Sequence, residues 1–137
     1  MIYKIRENIF IGDYNLKEND LIDNKISIIF DTINSYDFSK DHNLFDLTFK
    51  TKNINIFGAT LHKDKINKPH VKDIACHIVK YMAQSGENIL VIDEDGVSQS
   101  IYTVARAICE MENISIYEVF LEIKKIIPEI DLGNVYL

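Results

Sequence analysis

Leu90-Val91-Ile92-Asp93-Glu94-Asp95-Gly96-Val97-Ser98-Gln99-Ser100 reads as an apolar strand that runs into a Gly/Ser turn and then a helix. A phosphate cradle is expected in such a loop, because unpaired N–H groups at a helix N-terminus favour anions. Asp93, Glu94 and Asp95 place negative charge there instead. The stretch thus has the outline of an anion site with the wrong charges. Three readings follow: it does chemistry, it binds a cation, or it is retained for its shape.

On the C-terminal side, the spacing of Ile101, Val104, Ala105, Ile108 and Met111 predicts a helix over residues 98–112 that buries those side chains. Ser115 followed by Glu118 is a capping-box pattern. It opens a further helix through Ile116, Val119, Phe120, Ile123 and Ile126 to about Ile127, where Pro128 stops it. On the N-terminal side, residues 87–92 are expected to form a central parallel strand, since strands covered on both faces are apolar throughout. Ahead of it, Val71, Ile74, Ala75, Ile78, Val79 and Met82 set a helix over 70–84, between Pro69 and Gly86.

Residues 3–5 and 9–11 alternate around Arg6-Glu7-Asn8 and predict a hairpin that Gly12-Asp13 ends. Residues 17–24 predict a short helix and 26–30 a buried strand. Residues 34–43 read as loop, 44–49 and 53–57 as two further strands, and 58–69 as irregular chain. Strands alternating with helices point to an α/β fold with a mostly parallel central sheet flanked by helices on both faces.

At 137 residues and 47% hydrophobic content, the sequence suits a single domain, residues 1–137, with a substantial core. A net charge of −6, with Lys scattered among Asp and Glu, argues against a nucleic-acid surface, which needs a clustered basic patch. No apolar run approaches a membrane span, and Met1-Ile2-Tyr3-Lys4 lacks the apolar core of a signal peptide, so a soluble cytoplasmic protein is expected. Cys76 and Cys109 fall within helical patterns and read as reduced core thiols.

In order along the chain, these elements resemble the dual-specificity (tyrosine/serine/threonine) protein phosphatase domain. Ile5-Arg6-Glu7-Asn8-Ile9-Phe10-Ile11-Gly12 resembles that family's opening hairpin and residues 26–31 its next core strand. Residues 89–100 resemble its signature strand and loop. Met111-Glu112-Asn113-Ile114-Ser115 leading to Glu118-Val119, then Ile127-Pro128-Glu129-Ile130 and Asn134, resembles its closing helices. The family's loop carries His-Cys, two variable residues, Gly, one variable residue and Ser-Arg-Ser. On this chain the His position is Ile92, the nucleophilic Cys position is Asp93 and the phosphate-gripping Arg position is Gln99, while Gly96, Ser98 and Ser100 match.

The resemblance therefore implies a pseudophosphatase. A thiolate at a helix N-terminus is a good nucleophile at neutral pH, and a carboxylate cannot replace it in a thiol mechanism. Gln99 offers a neutral amide where Arg offers a charged bidentate fork. The family's general-acid Asp lies on the loop before the preceding helix, near Asp64, which has no nucleophile left to assist. The implied role is binding of a protein partner, a phosphoprotein or a component of a kinase/phosphatase pathway. No cofactor is expected, and the oligomeric state is open.

Residues 90–97 also look like the first motif of haloacid-dehalogenase-type phosphohydrolases. Asp93 would there be a nucleophile and Asp95 an acid/base, with magnesium screening the phosphate. Such enzymes need a later Lys and an acidic metal-binding pair. Lys124 and Lys125 exist, but no adjacent acidic pair follows them. The simplest reading of Asp93-Glu94-Asp95 is a solvated acidic loop on the helix dipole, with Ser98 or Asp95 as the cap. A magnesium or calcium ion on Asp93 and Asp95 would need more oxygen ligands than the loop offers. His70, Asp73 and His77 share helical spacing, but away from the apolar stripe they read as a solvated face. Tyr102 and Tyr117 read as packing residues.

Overall fold

Three strands with strict two-residue alternation of side-chain direction organise the sheet. In the computed structural model, which describes residues 2–32, 54–58, 69–93 and 99–130, they are β2 (Ile9–Gly12), β3 (Ile28–Asp31) and β5 (Ile89–Ile92). With β1 (Ile2–Arg6) and β4 (Asn55–Gly58) they form a five-stranded sheet in the order β1-β2-β5-β3-β4. The β1–β2 pair is antiparallel; the other neighbours run parallel.

Ile11, Val91 and Phe30 stand level across β2, β5 and β3, as do Phe10, Leu90 and Ile29 one residue earlier. Because the side-chain period is two, these two rows point to opposite faces. One face carries Ile9, Ile11, Ile28, Phe30, Ile89 and Val91 into a core shared with three helices, α2 (Pro69–Gln84), α3 (Gln99–Glu112) and α4 (Ile116–Ile126). The other carries Phe10, Ile29, Leu90 and Ile92 against Leu16, Ile26 and Leu21, the last on α1 (Glu18–Asp23). All four residues of β5 are fully buried, as a central strand covered on both faces requires. Among the described residues, no helix is long and apolar enough to cross a membrane.

Helix ends follow local chemistry. After α2 the N–H groups of Gly86 and Glu87 reach back to the carbonyls of Ala83 and Met82, the paired bonds of a Schellman motif. Gly86 has φ +86°, so any side chain there is strained, although a Cβ would meet nothing within 4 Å. Asn113, at φ 55°, closes α3 in the same left-handed region. Ser115 caps α4 by accepting the Tyr117 N–H at 3.2 Å.

Several boundaries differ from the sequence expectation. The strand expected over 26–30 starts at Ile28, because Ile26 donates its N–H to Leu21 O at the end of α1. The strand expected over 87–92 starts at Ile89, since Asn88 O is taken by the Ser27 and Ile28 N–H groups. Tyr117 is 62% exposed and thus no packing residue, and Ile126 is also exposed, whereas Tyr102 does pack on the core. Cys76 is buried and Cys109 half-buried, and neither forms a disulfide. The loop expected over 34–43 and the strand over 44–49 lie outside the described residues, as does 59–68.

A charged clamp ties the hairpin to the helical layer. Arg6 Nε donates to Glu112 at 2.8 Å, its Nη2 to Glu122 at 2.6 Å, and its Nη1 to Ile5 O at 3.0 Å. The Glu112 hydrogen bond, partly offset by burial and reinforced by Glu122, raises the Arg6 pKa above its already high value. Charge-assisted hydrogen bonds of this kind contribute about 1–2 kcal/mol when partly exposed. Arg6→Met keeps the aliphatic stem and loses the fork, so urea unfolding should show a loss of about 1–2 kcal/mol. Arg6→Lys should recover little of it, because an ammonium cannot bridge both carboxylates with the same geometry.

Candidate functional site

Parallel α/β sheets place their sites beyond the carboxyl ends of the strands, where helices begin. Here those ends are level: Gly12, Ile92 and Asp31 stand side by side on β2, β5 and β3. One residue further, Asp93 leaves β5 fully buried. Its Oδ2 accepts the backbone N–H of Ser100 at 2.9 Å. Ser100 is the second residue of α3, so this N–H has no partner within the helix. The side chain expected to be the solvated part of an acidic loop is therefore a buried cap on the α3 N-terminus. Ser98 and Asp95, the caps expected from sequence, lie with Glu94 and Gly96 outside the described residues.

Around this contact the site is polar and enclosed. Asp31 is buried, and its two carboxylate oxygens lie 2.8 and 2.9 Å from the Tyr14 hydroxyl, which donates to them. Thr32 donates both its N–H, at 3.0 Å, and its hydroxyl, at 3.1 Å, to Ile92 O, so the two central strands are stitched together just before Asp93. Ser100 is buried, and its hydroxyl has no hydrogen-bond partner among the described residues. Gln99, at the Arg position of the resemblance, is half-buried at the first turn of α3.

The structure thus brings Asp93, Gln99 and Ser100 together and adds three residues that the sequence reading did not single out, Tyr14, Asp31 and Thr32. Asp31 carried one signal: a lone carboxylate closing an apolar strand. Asp64 lies outside the described residues. His77 is 64% exposed, with Nδ1 3.7 Å from Glu110 Oε2, as expected of a solvated helix face. The side chains of His70 and Asp73 lie outside the described set. Among the described residues no group of three or more His, Cys, Asp or Glu side chains is arranged to hold a metal ion.

Chemically, the helix N-terminus is already occupied. The Asp93 carboxylate takes the N–H and faces the positive end of the α3 dipole as a bound anion would. A phosphate approaching it meets like charge. Two unit charges ~4 Å apart in an effective dielectric of ~20 repel by ~4 kcal/mol, about three decades in affinity.

No protein-family model matches the sequence, and no curated protein matches it. Solved structures do match. A leucine-rich-repeat and phosphatase-domain protein from Entamoeba histolytica superposes with a TM-score of 0.68 at 18% identity, over 95% of this chain and 81% of the other. PTPMT1 in complex with PI(5)P gives 0.72 at 18% identity, over 95% and 85%. Human DUSP28 gives 0.71 at 12% identity, over 95% and 83%. None of these is of the haloacid-dehalogenase type. With its β1-β2-β5-β3-β4 sheet, its helices on both faces and its Asp93–Ser100 loop seat, the chain has the fold of the dual-specificity and protein tyrosine phosphatases.

Proposed function

We propose that this protein is a pseudophosphatase, a dual-specificity-phosphatase fold without catalytic turnover that acts in the cytoplasm as a protein-binding or regulatory module. The observation that carries the reading is the seat of Asp93. The position that the resemblance gives to a thiolate holds a fully buried carboxylate bonded to Ser100 N–H. A carboxylate held by a helix N-terminus is stabilised as an anion but is a poor nucleophile toward a phosphate dianion without a metal to screen the charge. Gln99, at the Arg position, supplies no fixed cation of the kind phosphoryl transfer uses. Its partner is a protein, either a phosphoprotein or a component of a kinase/phosphatase pathway, recognised by surfaces that the folded framework presents.

Hydrolysis of p-nitrophenyl phosphate, followed with and without magnesium, tests the catalytic half. The expected result is no release above the buffer rate in either condition. Metal-independent turnover by the unaltered chain, or magnesium-dependent turnover that disappears in Asp93→Asn, would each overturn the reading. The binding half requires a pair captured from the native host to re-form from purified components; if none does, the proposed role fails.

A further inference from the structure

Helix α4 turns one face to the core and leaves large apolar side chains exposed on the other. Val119, Phe120 and Ile123 are buried in the core, whereas Leu121 is 57% and Tyr117 62% exposed on the opposite side. Tyr117, Leu121 and Lys125 follow at four-residue spacing and form one outward stripe, with Glu118 alongside it. Glu118 and Lys125 are both exposed, and neither has an ion-pair partner among the described residues. The other charged residues of this helix are engaged elsewhere: Glu122 binds Arg6, and Lys124 Nζ donates to Ile130 O at 3.2 Å.

From this arrangement we infer that α4 is a homodimer interface, docking antiparallel on α4 of a second copy about a two-fold axis through Leu121. The charges select this occupant. Glu118 lies three residues before Leu121 and Lys125 four residues after it. A two-fold axis at Leu121 that reverses the helix direction therefore brings Glu118 of each copy level with Lys125 of the other to within one residue's rise, about 1.5 Å. The two pairs form on the same side of the contact, because Glu118 and Lys125 are one heptad apart and so share a helix face. Leu121 packs on its own equivalent at the centre, and Tyr117 covers the flank. Opposite charges that meet only in the antiparallel register disfavour parallel docking, which would set like charge against like.

One short helix face buries little area, so the dimer belongs with weak interfaces, below about 1,200 Å² in total, with a dissociation constant of roughly 10–1,000 μM. Sedimentation velocity on the full chain up to about 1 mM reads it directly. The expected result is a concentration-dependent monomer–dimer equilibrium that Leu121→Glu abolishes. Glu118→Lys and Lys125→Glu should each weaken it about tenfold or more, and the double exchange should restore it to within about threefold of the unaltered chain, because the pairs re-form with reversed sign. These side chains are exposed, so thermal melts of all variants should match and loss of folding is separable from loss of dimer. A chain that stays monomeric at about 1 mM, a dimer indifferent to Leu121→Glu, or single exchanges that the double does not rescue would each overturn the inference.

Discussion

Exchanging Asp93 for Ser and Gln99 for Arg together should create an oxyanion site where the unaltered protein has none. In the native chain the Ser100 N–H is satisfied by the Asp93 carboxylate, whose charge also repels any phosphate-like ligand. Removing that charge frees the N–H and lifts a penalty of ~4 kcal/mol, about three decades in affinity. Arg at position 99 adds a permanent cation with paired donors at the first turn of the same helix. Thermal unfolding in a tungstate titration measures the outcome, since a ligand that binds only the folded state raises stability by RT ln(1 + [L]/Kd). No shift is expected for the native chain in millimolar tungstate, and a clear dose-dependent rise is expected for the double variant. A folded double variant that shows no rise, or a native chain that binds equally well, would mean that Asp93 is not what closes the site.

Phe30→Ala should be the most damaging single change to stability. Phe30 is 1% exposed in β3, level with Val91 of the central strand and inside the core that α2, α3 and α4 cover. Deleting a buried Phe side chain costs about 3–5 kcal/mol, as transfer energy plus the cavity that incomplete collapse leaves. Against a typical total of ~5–15 kcal/mol, this is a large fraction of what holds such a domain together. Urea unfolding should show a midpoint far below that of the native chain with little change in slope. Tyr117→Ala, on the exposed side of α4, serves as the matched control and should shift stability by about 0.5 kcal/mol or less. Equal losses at the two positions would contradict the assigned core.

Much of the framework was legible because it is written in local periodicity. The alternating runs at 3–5 and 9–11, the continuous apolar run at 89–92, the helical spacing of Ala75, Ile78, Val79 and Met82, and Gly86 beyond that helix are each properties of a few consecutive residues. The two faces of the sheet follow from the two-residue side-chain period of a strand. The boundaries at Ile28 and Ile89 were less legible, because Asn88 O is claimed by the Ser27 and Ile28 N–H groups from sixty residues away. On α4 period succeeded and residue type misled. An aromatic side chain at 117 suggests packing, yet the helix turns it outward, since the stripe through Val119, Phe120 and Ile123 already faces the core.

The candidate site divides along the same line. Sequence alone determined which side chains stand in the loop after the central strand: a carboxylate at 93, a neutral amide at 99, and the Gly and Ser positions that match a phosphatase signature. That is enough to expect lost thiol chemistry, because it depends only on which atoms are present. Only the tertiary structure decided where the Asp93 carboxylate goes. It is buried on the Ser100 N–H, beside a second buried carboxylate that Tyr14 holds on the neighbouring strand. No local pattern carries that information, because it depends on strand order and on how closely the first turn of α3 approaches the end of β5. Those are set by packing of the whole core, which brings the Asp93 carboxylate within hydrogen-bond reach of the Ser100 N–H.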